Sequence, residues 1–484
     1  MKKILSFLVL VLMFLLVSCE NGKDVIDGPK EPVFTTFYEV TYVDMYGEVI
    51  DIVMVKEGDD ASKFAAPTVD YYTFIGWDED LTNVKCDITT NALYSKNKEE
   101  YLMNDANYWL QLLTPKYNIN KTILSLDEIK KYNENITSDY DKTKVVDVLS
   151  LDQKVTGEFV KSKIESYANM NKYVVYNNET NNELSNIEKT QILNNRNIEN
   201  VKDNIDVSYG IITDFAWMRT YPTNNYSSTY ERDRFQETSL NIGEEVAIYH
   251  TSSDGLWYFV QSYNYYGWVE VSNIALSTYE EVSEFVNTED FLVVISDFVL
   301  IDNHHVRMGQ KFPLLSTIGS YKVKFPTRNT LGNLELIEKE LEKTEDYSIG
   351  YLEYNYKNLY NQMFKLLNIK YSWGDKEKDG RDCSSTQNSI YASFGFKLPR
   401  NTSNQNSVPT YGTSFSSITT STLQENYLPG TLIFSSGHVM MYIGENSQGY
   451  AYLFHNTSAG QAKCILQRLS QYGVNKIIGT LKLQ

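Results

Sequence analysis

Cysteine is scarce in this chain: 484 residues carry four, at positions 19, 86, 383 and 464. A disulfide-stapled exported domain carries many more, in even number, so that class is excluded. Histidine is scarce too, with five residues and no clustered pair near a Cys-x-x-Cys, which leaves no metal centre and no cofactor to expect. Ten prolines exclude long proline-rich linkers. Positive charge is short: 44 Lys and Arg against 62 Asp and Glu give a formal charge of −18, which argues against a nucleic-acid partner. Long apolar runs are missing as well. The longest, Ile4 to Val17, has 14 residues, short for a membrane span.

What is present is tyrosine. Thirty-eight Tyr raise the aromatics to 13%, a composition suited to half-buried strands with a ring packed inward and a hydroxyl in water. At 42% hydrophobic and 22% charged the chain is otherwise globular, and its length predicts three to five domains of about 100–200 residues each. The opening "MKKILSFLVLVLMFLLVSCE" places two lysines before the apolar run, an export signal. Its end, Leu16-Val17-Ser18-Cys19, resembles a bacterial lipobox. That resemblance implies a signal peptide over 1–18, lipidation of Cys19, and an exported, membrane-anchored lipoprotein held by a polar tether over 19–35. Cys86, Cys383 and Cys464 then remain. Cys86 ("NVKCDITT") and Cys464 ("AKCILQRL") sit in strand-like runs and read as buried small hydrophobes.

Residues 36–97 alternate in strand fashion around a turn at Met45-Tyr46-Gly47. The segment resembles an internalin B-type repeat, a β-grasp-like module of bacterial surface proteins, with a surface partner that the residues do not name. Residues 98–205 show helical spacing, and Ser125 with Glu128 stand in capping-box register, so a helical stabilising region is expected. Short strands with regular turns follow over 206–278. "RTYPT", "LWYFVQS" and "YGWVE" resemble a bacterial SH3-like barrel, in which Tyr266 and Trp268 read as core and rim. Residues 279–345 repeat the pattern more faintly, as a second SH3-like barrel; His304-His305 there reads as a loop. Residues 346–484 open on a helix with Leu359, Met363, Leu366 and Leu367 on one face, and end in short strands, an α+β pattern.

Chemistry concentrates in that last segment. A cysteine nucleophile needs a neighbouring histidine and a third group to orient it. Cys383 lies between Gly380 and a stretch able to form a helix, so its thiol can meet the free N–H groups of a helix start, which stabilise a thiolate. Only His438 and His455 follow it. One opens a strand and the other ends the next, so adjacent antiparallel strands bring them side by side as base and orienter.

The stretches "YSWGDKEKDGRDCSSTQNSIYASFGFKLPRNTSNQ", "LPGTLIFSSGHVMMYIGE" and "FHNTS" resemble the NlpC-type (NlpC/P-sixty) cell-wall cysteine peptidases. The resemblance implies a papain-like domain that cleaves the γ-D-glutamyl–diamino acid bond of peptidoglycan stem peptides. It implies Cys383 as nucleophile, His438 as base and His455 as orienter, with Tyr371 beside the scissile carbonyl. Asp382, Ser384 and Thr402 match positions that in some relatives bind the free amine of an N-terminal L-alanine. Two departures stand out: Asp375 and Ser385 replace usual glycines. The expected fold class is multidomain α+β, made of a papain-like peptidase domain, two SH3-like barrels, a helical segment and a β-grasp-like repeat. Two other classes stay open, a non-catalytic wall-binding or adhesion lipoprotein and a related papain-like acyltransferase or amidase.

Overall fold

The computed structural model describes residues 35–61, 66, 69, 72–96, 99–167, 169–229, 231–408, 420–469 and 479–481. The expected signal peptide, Cys19 and the tether up to residue 34 lie outside the described residues. Among the described residues no helix is long and apolar enough to cross a membrane. The chain forms two compact units, Met1–Lys98 and Glu99–Gln484.

The first unit is a four-stranded sheet in the order Val49–Lys56, Phe37–Val43, Ile88–Lys96, Tyr72–Trp77. Its hairpin turn is made by Asp44, whose carboxylate accepts from the Tyr46 and Glu48 N–H groups, and by Gly47 at φ 88°. Phe37–Val43 runs parallel to Ile88–Lys96, and Val40, Tyr42, Val55 and Val84 form the core. Cys86 departs from expectation. It is exposed, in a bend ahead of the strand, because pairing starts only at Ile88 and Val84 takes the buried position.

In the second unit, residues 208–277 form a seven-stranded antiparallel sheet with Phe259 and Trp268 fully buried. A second sheet of five strands follows, and it includes Tyr347–Ile349, so it extends past residue 345. His304–Arg307 is a strand, not a loop. It pairs with Phe298–Ile301 through a tight turn at Asp302 and Asn303, both at positive φ.

The segment before these sheets is not one helical body. It holds the helices Ala106–Leu113, Leu126–Ser138, Gly157–Glu165 and Asn186–Asn195, the second closed by the Ser125–Glu128 capping box. It also holds a strand pair, Lys154–Thr156 with Asn204–Asp206. Trp109, Leu113, Ile129 and Ile136 pack into one core with Leu359, Met363 and Phe396. Val148, Val160 and Ile164 pack into another with Tyr209, Ile211 and Tyr249. Helices of two to four turns cannot bury their apolar faces alone, and each takes the nearest partner.

The C-terminal part starts with helix Tyr356–Lys365, capped by Asn355, with Leu359 and Met363 buried. Five strands follow in the order Cys464–Arg468, Ala451–Asn456, His438–Glu445, Leu432–Ser435, Gly479–Leu481, each antiparallel to its neighbours. The helix Cys383–Ala392 lies on this sheet, sharing a core of Ile390, Tyr391, Val439, Met441, Phe454 and the buried Cys464.

Candidate active site

The helix Cys383–Ala392 starts where Asp382 leaves helical geometry and accepts the Ser385 N–H, so Cys383 is the first helical residue. The N–H groups of that turn are not used by the helix itself. The Sγ lies 3.7 Å from Thr402 Oγ1, and the Val439 N–H points to it from the start of the His438 strand. Burial and the Asp382 carboxylate push the thiol up to about 11, outweighing the Val439 N–H, the Thr402 hydroxyl and the Arg400 charge, which lower it. The resting thiol is therefore protonated, and a base must take its proton.

The strand that brings the Val439 N–H to the Sγ opens on His438. His438 Nε2 lies 2.8 Å from His455 Nδ1, with the rings edge to face. His455 Nε2 lies 3.0 Å from Gln467 Oε1. Three adjacent strands thus contribute one polar side chain each. Burial lowers His438 to about 3 and His455 to about 4, so both rings are neutral. Tyr371 completes the group. Burial and the charges of Asp382 and Cys383 raise its phenol, and its N–H is fixed on the Ala462 carbonyl.

A buried charge network sits under the nucleophile. Arg400 donates to Asp382 at 2.7 and 3.2 Å and to Ser384 Oγ at 3.0 Å, and its Nε reaches Thr238 of the first barrel. Asp375 accepts from the Asp382 N–H and the Ser385 hydroxyl, and pairs with Arg307 of the His304–Arg307 strand at 3.3 Å. Arg307 also donates to the carbonyls of Glu377, Lys378 and Gly380. From the first barrel, Gln236 and Ser239 donate to the carbonyls of Gly374 and Asp375, and the Trp217 indole to that of Lys376. The first barrel and the His304–Arg307 strand therefore clamp the loop that leads into Cys383.

Residues 368–468 match the model of the NlpC/P60 family, and residues 224–270 match that of the SH3 domain of SH3b1 type. The chain carries an NlpC/P60 domain. An NlpC/P60 endopeptidase from Photobacterium damselae subsp. piscicida is similar in fold, at 18% identity and TM-score 0.56, over 75% of this chain and 87% of that one. An NlpC/P60 family protein from Bacillus cereus aligns at 19% identity and TM-score 0.42, over 57% of this chain and 99% of that one. No curated protein matches the chain. The family supports a cell-wall cysteine peptidase.

Within the NlpC/P60 domain, the structure brings Cys383, Thr402, Asp382, Ser384 and Tyr371 together, and joins His438 to His455. Asp382 is less open than expected. Its Oδ1 already accepts from the Ser385 N–H, Ser384 Oγ and Arg400. Tyr266 turns away, its hydroxyl on Ser166, and Trp268 is core. The two departures from the family pattern meet each other: Asp375 and Ser385 are bonded. Asp375 also has φ 57°, a conformation that favours glycine, held here by its carboxylate contacts. Sequence reasoning missed Arg400 as a network centre, although it stands in the "LPR" flank. It also missed Gln467, whose only signal was its polar character in the last apolar run.

Proposed function

We propose that the chain is a cysteine endopeptidase that hydrolyses the γ-D-glutamyl–diamino acid bond of peptidoglycan stem peptides. The observation that carries this reading is the thiol at a helix start beside a three-strand string of His438, His455 and Gln467. His438 takes the Cys383 proton as the sulfur attacks the glutamyl carbonyl. The Cys383 N–H and the Tyr371 hydroxyl receive the oxyanion. The His438 imidazolium then protonates the leaving amine, and the neutral ring activates water to release the acyl group. Asp382 Oδ2, Ser384 and Thr402 offer a carboxylate and hydroxyls to a free N-terminal amine. The leader and Cys19 hold the enzyme at the membrane surface as a lipoprotein, with residues 19–35 as tether.

The test is incubation with L-Ala-γ-D-Glu-diamino acid tripeptide and its N-acetylated form, beside Cys383→Ala. Release of L-Ala-D-Glu from the free-amine peptide alone, lost in the variant, is the expected result. Cleavage of both keeps the peptidase and removes the amine subsite. Cleavage of neither by folded protein, with Cys383 inert to a thiol probe, overturns the reading in favour of a wall-binding protein.

A further inference from the structure

A string of two histidines has a weakness that an amide orienter lacks. Each neutral imidazole is both donor and acceptor, so His438 Nε2 and His455 Nδ1 at 2.8 Å can share a proton in either direction. In one direction His438 Nδ1 is bare and can act as the base. In the other, Nδ1 carries the proton and cannot accept one from the thiol. Nothing within the pair chooses between the two, and burial keeps both rings uncharged, so the choice of tautomer decides whether a base exists.

Gln467 chooses. It stands on strand Cys464–Arg468, opposite Leu453 and two residues beyond Ile465, which faces His455. This register puts its side chain on the same face of the sheet as His455. Its Oε1 lies 3.0 Å from His455 Nε2. An amide oxygen only accepts, so His455 Nε2 carries the proton and Nδ1 is bare. His438 Nε2 must then donate, and its Nδ1 is left unprotonated. We infer that Gln467 is a positioning residue that sets the tautomer of both histidines, the fourth member of the string. Its effect on turnover rests on the peptidase reading above; its effect on the protons does not.

The experiment compares the full chain with Gln467→Leu, which removes the acceptor, and Gln467→Glu, which keeps one. Histidine-selective ¹⁵N labelling reads the protonated nitrogen of each ring, with only five histidines to assign. Wild type is expected to show Nε2–H on both rings, Gln467→Leu a mixture, and Gln467→Glu the wild-type pattern. On the tripeptide, Gln467→Leu is expected to lower kcat about 10–100-fold with KM within about twofold, and Gln467→Glu to restore most of it. Unchanged tautomers in Gln467→Leu overturn the inference, whatever the activity. Shifted tautomers with unchanged kcat keep Gln467 as the proton-setting residue and remove its part in catalysis. If wild type cuts nothing, the peptidase reading fails and the labelling alone decides on Gln467.

Discussion

Replacing Arg400 by Met tests whether the charge network holds the nucleophile helix. Arg400 is buried, and its guanidinium makes two bonds to Asp382, one to Ser384 and one to Thr238, with Asp375 at 3.7 Å. Without it, Asp382 becomes a buried carboxylate with no cation, at a cost of about 3–5 kcal/mol. Asp382→Asn alone leaves Arg400 beside Asp375, which is itself held by Arg307, and costs about 1–3 kcal/mol. The double variant removes both charges and should cost only about 1–3 kcal/mol, so a coupling of at least ~1 kcal/mol is expected. Urea unfolding followed by tryptophan fluorescence measures it. A double-variant cost equal to the sum of the single costs, within about 0.5 kcal/mol, refutes the reasoning. The pH dependence carries a sign. Burial raises Asp382, but the Arg400 charge and its bonds outweigh it and hold the carboxyl below 3.8. A depressed folded value means that this stabilisation is complete above the unfolded value and lost as pH falls through the folded one. In Arg400→Met only the Ser385 and Ser384 hydrogen bonds oppose burial, so the gap between wild type and variant should narrow in acid.

Two further outcomes are expected. Gln387, in the nucleophile helix, is fully buried with neither amide atom bonded among the described residues, so Gln387→Met should raise unfolding stability by about 1–3 kcal/mol in urea titration. A loss of stability instead would show that the amide is satisfied in solution. His305 is buried against Phe298 at 4.0 Å, and burial with the nearby Arg307 and Arg381 charges lowers it to about 4. The neutral ring contributes stability above 6.5 that is lost as pH falls towards 4, about 3 kcal/mol in all. His305→Phe should reduce the drop in unfolding free energy between pH 7.5 and 4.5 by that order, and an unchanged drop would count against it. His250, His438 and His455 are lowered in the same direction and keep their own share of the acid loss in the variant.

The sequence by itself determined what local chemistry and spacing can encode. The Ser125–Glu128 box, the Gly47 turn, the helix start at Cys383 and the two strands that carry His438 and His455 all follow from residues within a few positions of each other. The turn at Asp302-Asn303 was legible in the same way and was overlooked, so His304-His305 was read as loop. The misplacement of Cys86 has another cause: alternation marks a strand but not the residue at which pairing begins. Tertiary structure alone decided the rest. It divided residues 98–205 among three cores, since an amphipathic face states that it must be covered but not by what. It joined Arg400 to Thr238, Arg307 to Asp375, and His438 to Gln467 through His455. A buried charge or a proton-setting amide acts through partners far away in the chain. Its meaning arises only when folding removes water and leaves those partners as the sole way to satisfy it.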